Sequence, residues 1–268
     1  MKNALVTGAS GGIGEAMCSY LEELGYRVLA HARTKQQADA LCSGNDRLPV
    51  WGDVTRREDI AQIESQVSGV GALDLLVHNA GILTTDKTPG ANGLGIQAEV
   101  NVVAPVALTQ ALLPALEKSE NPNVLIVSSG MASFARSNDY LQLASPNGSS
   151  LFGHYAISKC AANTVTQELA KAHPNLKVIS VEPGFVKTKM TAGNSSMPFP
   201  MGILAKIIGA SPEKAAHKCF DHVLGHDLKS GSITQSGKVI NSEGKKWSAD
   251  FAIDTLKQLL AKAGLALN

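Results

Sequence analysis

Short apolar runs alternate with longer stretches whose apolar residues recur at helical spacing. The runs predict strands over residues 4–6, 27–31, 48–51, 73–78, 123–128 and 177–181. The stretches between them predict helices over 14–24, 36–42, 57–67, 95–116 and 154–172. Strand followed by helix, repeated along the chain, is the pattern of parallel strands joined by crossover helices. The expected fold class is α/β, a doubly wound parallel sheet, with residues 1–268 forming a single catalytic domain. Crossovers of this kind are right-handed, and ligands bind at the carboxyl ends of the strands. No internal repeat, low-complexity tract or linker interrupts the pattern.

Two segments break the rhythm. Residues 130–153 form a long polar connection rich in Ser, Asn and Gly. Residues 187–211 are rich in Gly, Pro and Met and are apolar where a loop should be polar. Loops this long in a compact domain usually carry function. The second reads either as a lid over a lipophilic ligand or as a small helical pair packed on the core. Beyond residue 211 the chain shows only an amphipathic helix over 254–263.

Composition narrows the function classes. The 268 residues are 44% hydrophobic and 18% charged, enough for a large buried core. A net charge of +1 gives no bulk attraction for nucleic acid or anionic membrane. The four cysteines are scattered without ligand-type spacing, and the seven histidines show no HxxxH or HExxH, so no metal is expected. A glycine loop by residue 8 comes too early for a signal peptide, and no run of about 18 apolar residues suggests a membrane span. A soluble, cytoplasmic protein is expected.

Candidate chemistry lies in two places. Thr7-Gly8-Ala9-Ser10-Gly11-Gly12-Ile13-Gly14 follows the first strand and opens the first helix. Glycines there allow a sharp turn and close approach of a phosphate, to which the helix terminus offers unpaired N–H groups and positive potential. Its GxxxGxG spacing differs from the commoner GxGxxG. Further along, Tyr155 and Lys159 sit four apart and so share a helix face. An ammonium beside a phenol favours phenolate and brings an otherwise poor acid–base group toward the working range.

These residues, with Asp53-Val54, Asn79-Ala80-Gly81, Asn101, Ser128-Ser129, YAISK at 155–159 and Pro183-Gly184 with Thr188, resemble the short-chain dehydrogenase/reductase family in its shorter branch. The motifs cover about residues 1–190, in the family's order. The resemblance implies a Rossmann fold and an oxidoreductase. It implies Tyr155 as proton donor or base and Lys159 as the group that lowers the phenol pKa and binds the nicotinamide ribose. Ser129 would hold the substrate oxygen, with Ser128 its rival, and Asn101 would complete a water relay to Lys159. For the cofactor it implies Gly8, Ser10, Gly11, Gly12, Ile13 and Gly14 around the phosphates. Asp53 and Val54 would lie at the adenine, Asn79, Ala80 and Gly81 at the adenosine ribose, and Pro183, Gly184, Val186 and Thr188 at the nicotinamide.

Cofactor choice follows from charge. An NAD-preferring site places a carboxylate at the end of the second strand. Here Ala32 takes that slot, Arg33 follows, and no Asp or Glu occurs before Asp39. Arg33 can meet a 2′-phosphate with bidentate donors, with Thr34 and Lys35 assisting, so NADP(H) is expected over NAD(H).

Ser129 and Tyr155 lie 26 positions apart, a wide gap for this branch that resembles its carbonyl-reductase and retinol-dehydrogenase-like groups. The expected reaction interconverts a lipophilic aldehyde or ketone and an alcohol by hydride transfer. A second reading is an idle nucleotide-binding member serving as redox sensor or scaffold. Homodimer, homotetramer and monomer all stay open, because the 130–153 insert can mask an association face.

Overall fold

In a computed structural model the described residues are 1–135, 143–145, 151–188, 190, 207–224, 228–235, 238–240 and 249–267. Strands β1 (Lys2–Val6), β2 (Tyr26–Ala32), β3 (Leu48–Trp51), β4 (Leu75–His78), β5 (Asn123–Val127), β6 (Lys177–Val181), β7 (Ile233–Gln235) and β8 (Lys238–Ile240) build one sheet. Their order is β3-β2-β1-β4-β5-β6-β7-β8. All neighbours run parallel except β8, which returns antiparallel to β7. The connecting helices are α1 (Ile13–Glu23), α2 (Lys35–Cys42), α3 (Arg57–Ser68), α4 (Ile96–Leu116), α5 (Leu151–Ala172), α6 (Pro212–Leu224) and α7 (Ala249–Lys262).

The strands are apolar on both faces because each face has its own core. Leu29, Leu5, Leu76, Val124 and Val178 lie in register across five strands and face one helix layer. Their neighbours Ala30, Val6, Val77, Leu125 and Ile179 form the next row and face the other. Alternate residues of a strand point to opposite faces, so one strand serves two cores. The first core is closed by α3, α4, α5 and Leu256, Leu259 and Leu260 of α7. The second is closed by α1 and by Ala216, Cys219 and Phe220 of α6.

Strand β1 pairs with β2 on one side and β4 on the other, so the chain reverses its winding there. That reversal opens a crevice at the carboxyl ends of β1 and β4. Helix α4 is long and apolar enough to cross a membrane, but 67% of its most apolar window is buried within the protein, as for a core helix. It carries a π turn at Glu99–Val103, where the N–H of Ala104 reaches back to the carbonyl of Glu99. Pro105 has no N–H to offer the carbonyl of Asn101 four residues earlier, which removes one reason for the helix to stay α.

The expected elements are present with small shifts in their ends. The predicted strand over 73–78 begins at Leu75, and the helix expected from 154 begins at Leu151. Residues beyond 211 carry more than the single helix expected, since α6 and the β7–β8 hairpin also lie there. Half of the 130–153 segment and most of the 187–211 segment, where the lid is expected, lie outside the described residues. From the 130–153 segment, Leu143 and Ala144 are buried in the first core, and the Ala144 carbonyl accepts a 2.9 Å hydrogen bond from the N–H of Gly95 at the head of α4.

Candidate active site

The turn after β1 is held by side chains from the turn after β4. Thr7 Oγ1 donates to the Val77 carbonyl at 3.1 Å and accepts from the N–H groups of Asn79 and Ala80, each at 3.0 Å. Asn79 Nδ2 donates to the carbonyls of Thr7 at 2.9 Å and Gly8 at 3.0 Å. Gly14 packs against this weld so tightly that a Cβ would stand 2.4 Å from the Gly8 carbonyl oxygen and 2.5 Å from Asn79 Nδ2. Gly8 lies at φ +64°, and its own Cβ would approach Ala80 Cα to 2.8 Å. Gly12 caps α1 without any side-chain hydrogen bond, so the helix presents bare N–H groups to the crevice.

A cleft of about 610 Å³ runs along the strand ends. It is lined by Gly8, Ser10, Gly11, Gly12, Ile13, Arg33, Asp53, Val54, Asn79, Ala80 and Gly81 on one side, and by Ser129, Tyr155, Lys159, Pro183, Gly184, Val186 and Thr188 on the other. Of the site residues expected from sequence, Gly14 and Asn101 stand behind the wall. Gly14 is buried beneath the turn it shapes, and a Cβ there would strike the turn itself. Asn101 is buried in the π turn, its Oδ1 accepting from the N–H of Ile82 at 2.9 Å and its Nδ2 donating to the Ile82 carbonyl and to Ser158 Oγ, each at 3.0 Å.

Around Tyr155 the geometry separates the two serines. Ser129 accepts from the N–H of Met131 at 3.2 Å and hydrogen-bonds the Tyr155 phenol. Ser128 turns inward and donates to the backbone carbonyl of Lys159 at 3.3 Å. Lys159 is buried, with Nζ donating to the Val127 carbonyl at 2.9 Å and lying 5.8 Å from the Tyr155 ring centre. Ser158 Oγ donates to the Tyr155 carbonyl at 2.8 Å and joins that turn of α5 to Asn101.

Residues 2–198 match the short chain dehydrogenase family. The chain belongs to it. This short-chain dehydrogenase is 32% identical over 216 residues to an uncharacterised oxidoreductase of Myxococcus xanthus, covering 76% of this chain and 78% of that protein. It is 27% identical over 268 residues to (+)-neomenthol dehydrogenase of Arabidopsis thaliana, covering 78% of this chain and 88% of the relative. Among solved structures, a short-chain dehydrogenase/reductase of Saccharomyces cerevisiae superposes with a TM-score of 0.69 at 27% identity over 87% of this chain and 95% of that one. A short-chain dehydrogenase of Sphingobium yanoikuyae, solved with NADPH, has a TM-score of 0.67 at 20% identity over 87% of each chain and shares the fold. Its family makes this protein an oxidoreductase served by a nicotinamide cofactor. The residues fit such a group, since a Cβ on Gly11 would stand in open space, and the turn lines the cleft beside a bare helix terminus.

Electrostatics in this dehydrogenase depart from expectation at the tyrosine. Burial pushes the Tyr155 phenol up to about 12, against the hydrogen bond from Ser129, which pulls it down. Burial also brings Lys159 down to about 8. Desolvation disfavours both charged forms and dominates at the phenol, where Ser129, rather than the ammonium expected from the spacing, supplies the lowering. The side of the cleft that holds Arg33 has contacts of its own. Lys35, expected to assist Arg33, is paired with Asp39 at 2.7 Å, and Thr34 caps α2 by accepting from the N–H of Gln37 at 3.3 Å. Asp53 holds its own turn, with Oδ1 accepting from the N–H of Thr55 at 3.0 Å and from its hydroxyl at 2.7 Å. Arg33 is exposed at the cleft edge, and no ion pair engages it among the described residues. Sequence reasoning missed His31 and Gln37, which also line the cleft, and Ser158 behind Tyr155. His31 was hidden as one more residue of a strand, and Ser158 as an unremarked letter inside YAISK. Cys18 and Cys219 are buried thiols pushed up to about 12, which makes neither a nucleophile.

Proposed function

We propose that the protein is an NADP(H)-dependent carbonyl reductase whose substrate is a lipophilic aldehyde or ketone, with alcohol oxidation as the reverse. The observation that carries this reading is the Ser129–Tyr155 hydroxyl pair over buried Lys159, set in a cleft whose far end holds Arg33 and no carboxylate on the end of β2. The apolar character of the substrate is supported by Leu83, Ile96, Met131, Phe152, Phe185 and Met190, which also line the cleft.

Gly8, Gly11, Gly12 and the head of α1 would hold the pyrophosphate, and Arg33 the 2′-phosphate. Asp53 and Val54 would meet the adenine, and Asn79, Ala80 and Gly81 the adenosine ribose. Pro183, Gly184, Val186 and Thr188 would flank the nicotinamide. Once bound, the cofactor supplies the hydride. Tyr155 and Ser129 bring two O–H groups to one point, so a carbonyl oxygen placed there receives hydrogen bonds from both as its charge grows. A phenol held near 12 is fully protonated at neutral pH, which suits proton donation and so favours reduction. Lys159, near 8, is mostly an ammonium at pH 7 and can replace the proton Tyr155 gives up. A Cβ on Gly81 would stand 3.3 Å from both Asn101 Oδ1 and Lys159 Nζ, so the same small space joins these two groups. A water there would complete the relay to Lys159. The thiols of Cys18, Cys42, Cys160 and Cys219 suit a reducing, cytoplasmic setting.

The test is to mix the protein with NADPH and a panel of aldehydes, ketones and quinones while following cofactor absorbance. The reverse direction is run with NADP and alcohols that include neomenthol. Turnover of apolar carbonyls is expected. Tight NADPH binding without turnover of any compound would replace the reductase reading with that of an idle nucleotide sensor.

A further inference from the structure

His31 is buried one residue before the end of β2 and lines the cleft, where a strand residue of this kind needs no polar side chain. Both of its ring nitrogens are engaged by backbone. Nδ1 faces the N–H of Gly8 at 3.2 Å, and Nε2 faces the carbonyl of Gly52 at 2.9 Å. The Gly8 N–H is a donor, so Nδ1 must be the bare nitrogen and Nε2 must carry the proton. The main chain of His31 adds a third tie, since its carbonyl accepts from the N–H of Ala9 at 2.8 Å. One residue therefore joins the glycine turn to the loop that begins at Gly52 and carries Asp53 and Val54. Burial lowers the His31 pKa, the Gly52 carbonyl and the Asp53 carboxylate acting the other way, which keeps the ring in the neutral form that both bonds require.

We infer that His31 is a positioning residue for the dinucleotide, its single neutral tautomer fixing the spacing between the phosphate-binding turn and the adenine-binding loop. The inference rests on the reading that the cleft takes a nicotinamide dinucleotide. The two loops hold opposite parts of one long ligand, so a change in their separation weakens both contacts at once. Chemistry at Tyr155 is untouched by it, because His31 touches none of the groups around that hydroxyl.

Two variants and one spectrum test it. His31→Gln can keep a donor toward Gly52 while losing the fit at Gly8, and His31→Phe loses both. Titrating NADPH and NADH by fluorescence, the expected order of dissociation constants is wild type, then His31→Gln, then His31→Phe. The last is expected to be weaker by roughly tenfold or more. The kcat at saturating cofactor should stay within about twofold of wild type, since only binding is affected. Equal constants in all three proteins, or a kcat loss that saturating cofactor does not restore, would overturn the inference. Imidazole nitrogen NMR on the unaltered protein serves if a variant fails to fold. It should report Nε2 protonated and Nδ1 bare, and the opposite tautomer would refute the clamp. A wild-type protein that binds neither nucleotide would instead sink the cofactor reading, and the spectrum would still judge the clamp by itself.

Discussion

The two ends of the cleft are built on different plans. At the end beside the glycine turn the surface is mostly main chain, namely that turn, the loop after β3 and the bare head of α1, with Arg33 exposed at the rim. At the Tyr155 end it is mostly side chain. Tyr155 and Lys159 come from α5, Ser129 from the end of β5, and Asn101 from the π turn of α4, tied together by hydrogen bonds in a buried space. A surface of main chain is set by local turn geometry. A surface of buried polar side chains is set by how distant elements pack, and each missing partner leaves another group unsatisfied. Substitutions should therefore act on affinity at the first end and on rate or stability at the second.

The largest effect expected is at the Tyr155 end. Tyr155→Phe should lower kcat by about a thousandfold, the usual worth of a positioned proton donor, while NADPH binding measured by fluorescence is retained. Turnover near the wild-type level would remove Tyr155 from the chemistry and with it the contrast between the ends. The next effect concerns the floor between them. His78, buried at the end of β4 with Nε2 against Thr109 Oγ1 at 2.8 Å, is brought down by burial to about 3. The unfolded chain takes up that proton near pH 6.5 and the folded one only near 3, so stability is lost as pH falls through this interval. At pH 4.5 the loss should reach about 2.7 kcal/mol, at about 1.4 kcal/mol per unit. Urea unfolding at neutral and acid pH would measure it. The paired change His78→Phe with Thr109→Val, which removes both polar partners, should flatten the slope.

A smaller effect tests the end that holds Arg33. Arg33→Ala should weaken NADPH by roughly ten- to a hundredfold, the worth of a charged hydrogen bond, leaving NADH affinity and thermal stability nearly unchanged. Equal losses for both nucleotides would show that Arg33 does not read the 2′-phosphate. The smallest change is expected from Ser158→Ala. Removing the bridge between Tyr155 and Asn101 should cost about 1 kcal/mol in urea unfolding and a few-fold in kcat, with no change in nucleotide affinity. A loss confined to affinity would reverse the division of labour between the ends.

The same division explains what could be read from the sequence. The parallel sheet was legible because its strands are short apolar runs separated by helical stretches, and glycines that must be glycine mark the turn after β1 without reference to anything distant. The YAISK spacing was legible for the same reason, since four residues on a helix fix one face. The state of Tyr155 was not, because its pKa depends on burial by neighbours that no local spacing reveals. His31 reads as a strand residue until β1 and β3 are brought to either side of it. Asn101 was legible as a residue but not as a clamp on Ile82. Helix α6 and the β7–β8 hairpin were missed because short strands at a sheet edge and a helix with scattered charges leave a weak pattern.

The π turn in α4 has a consequence for how this helix can change. Each residue of an α-helix advances the side chain by about 100°. The one extra residue in Glu99–Val103 rotates everything before it relative to everything after. That phase offset lets Ile96 and Val100 line the cleft, Asn101 reach Ile82, and Leu108, Leu112 and Leu116 all enter the core of one continuous rod. Deleting a single residue there would straighten the rod, and the two ends could no longer both point where they now do. Helix α4 is therefore open to substitution but closed to insertion and deletion, a mechanical gear with one tooth that cannot be added or lost.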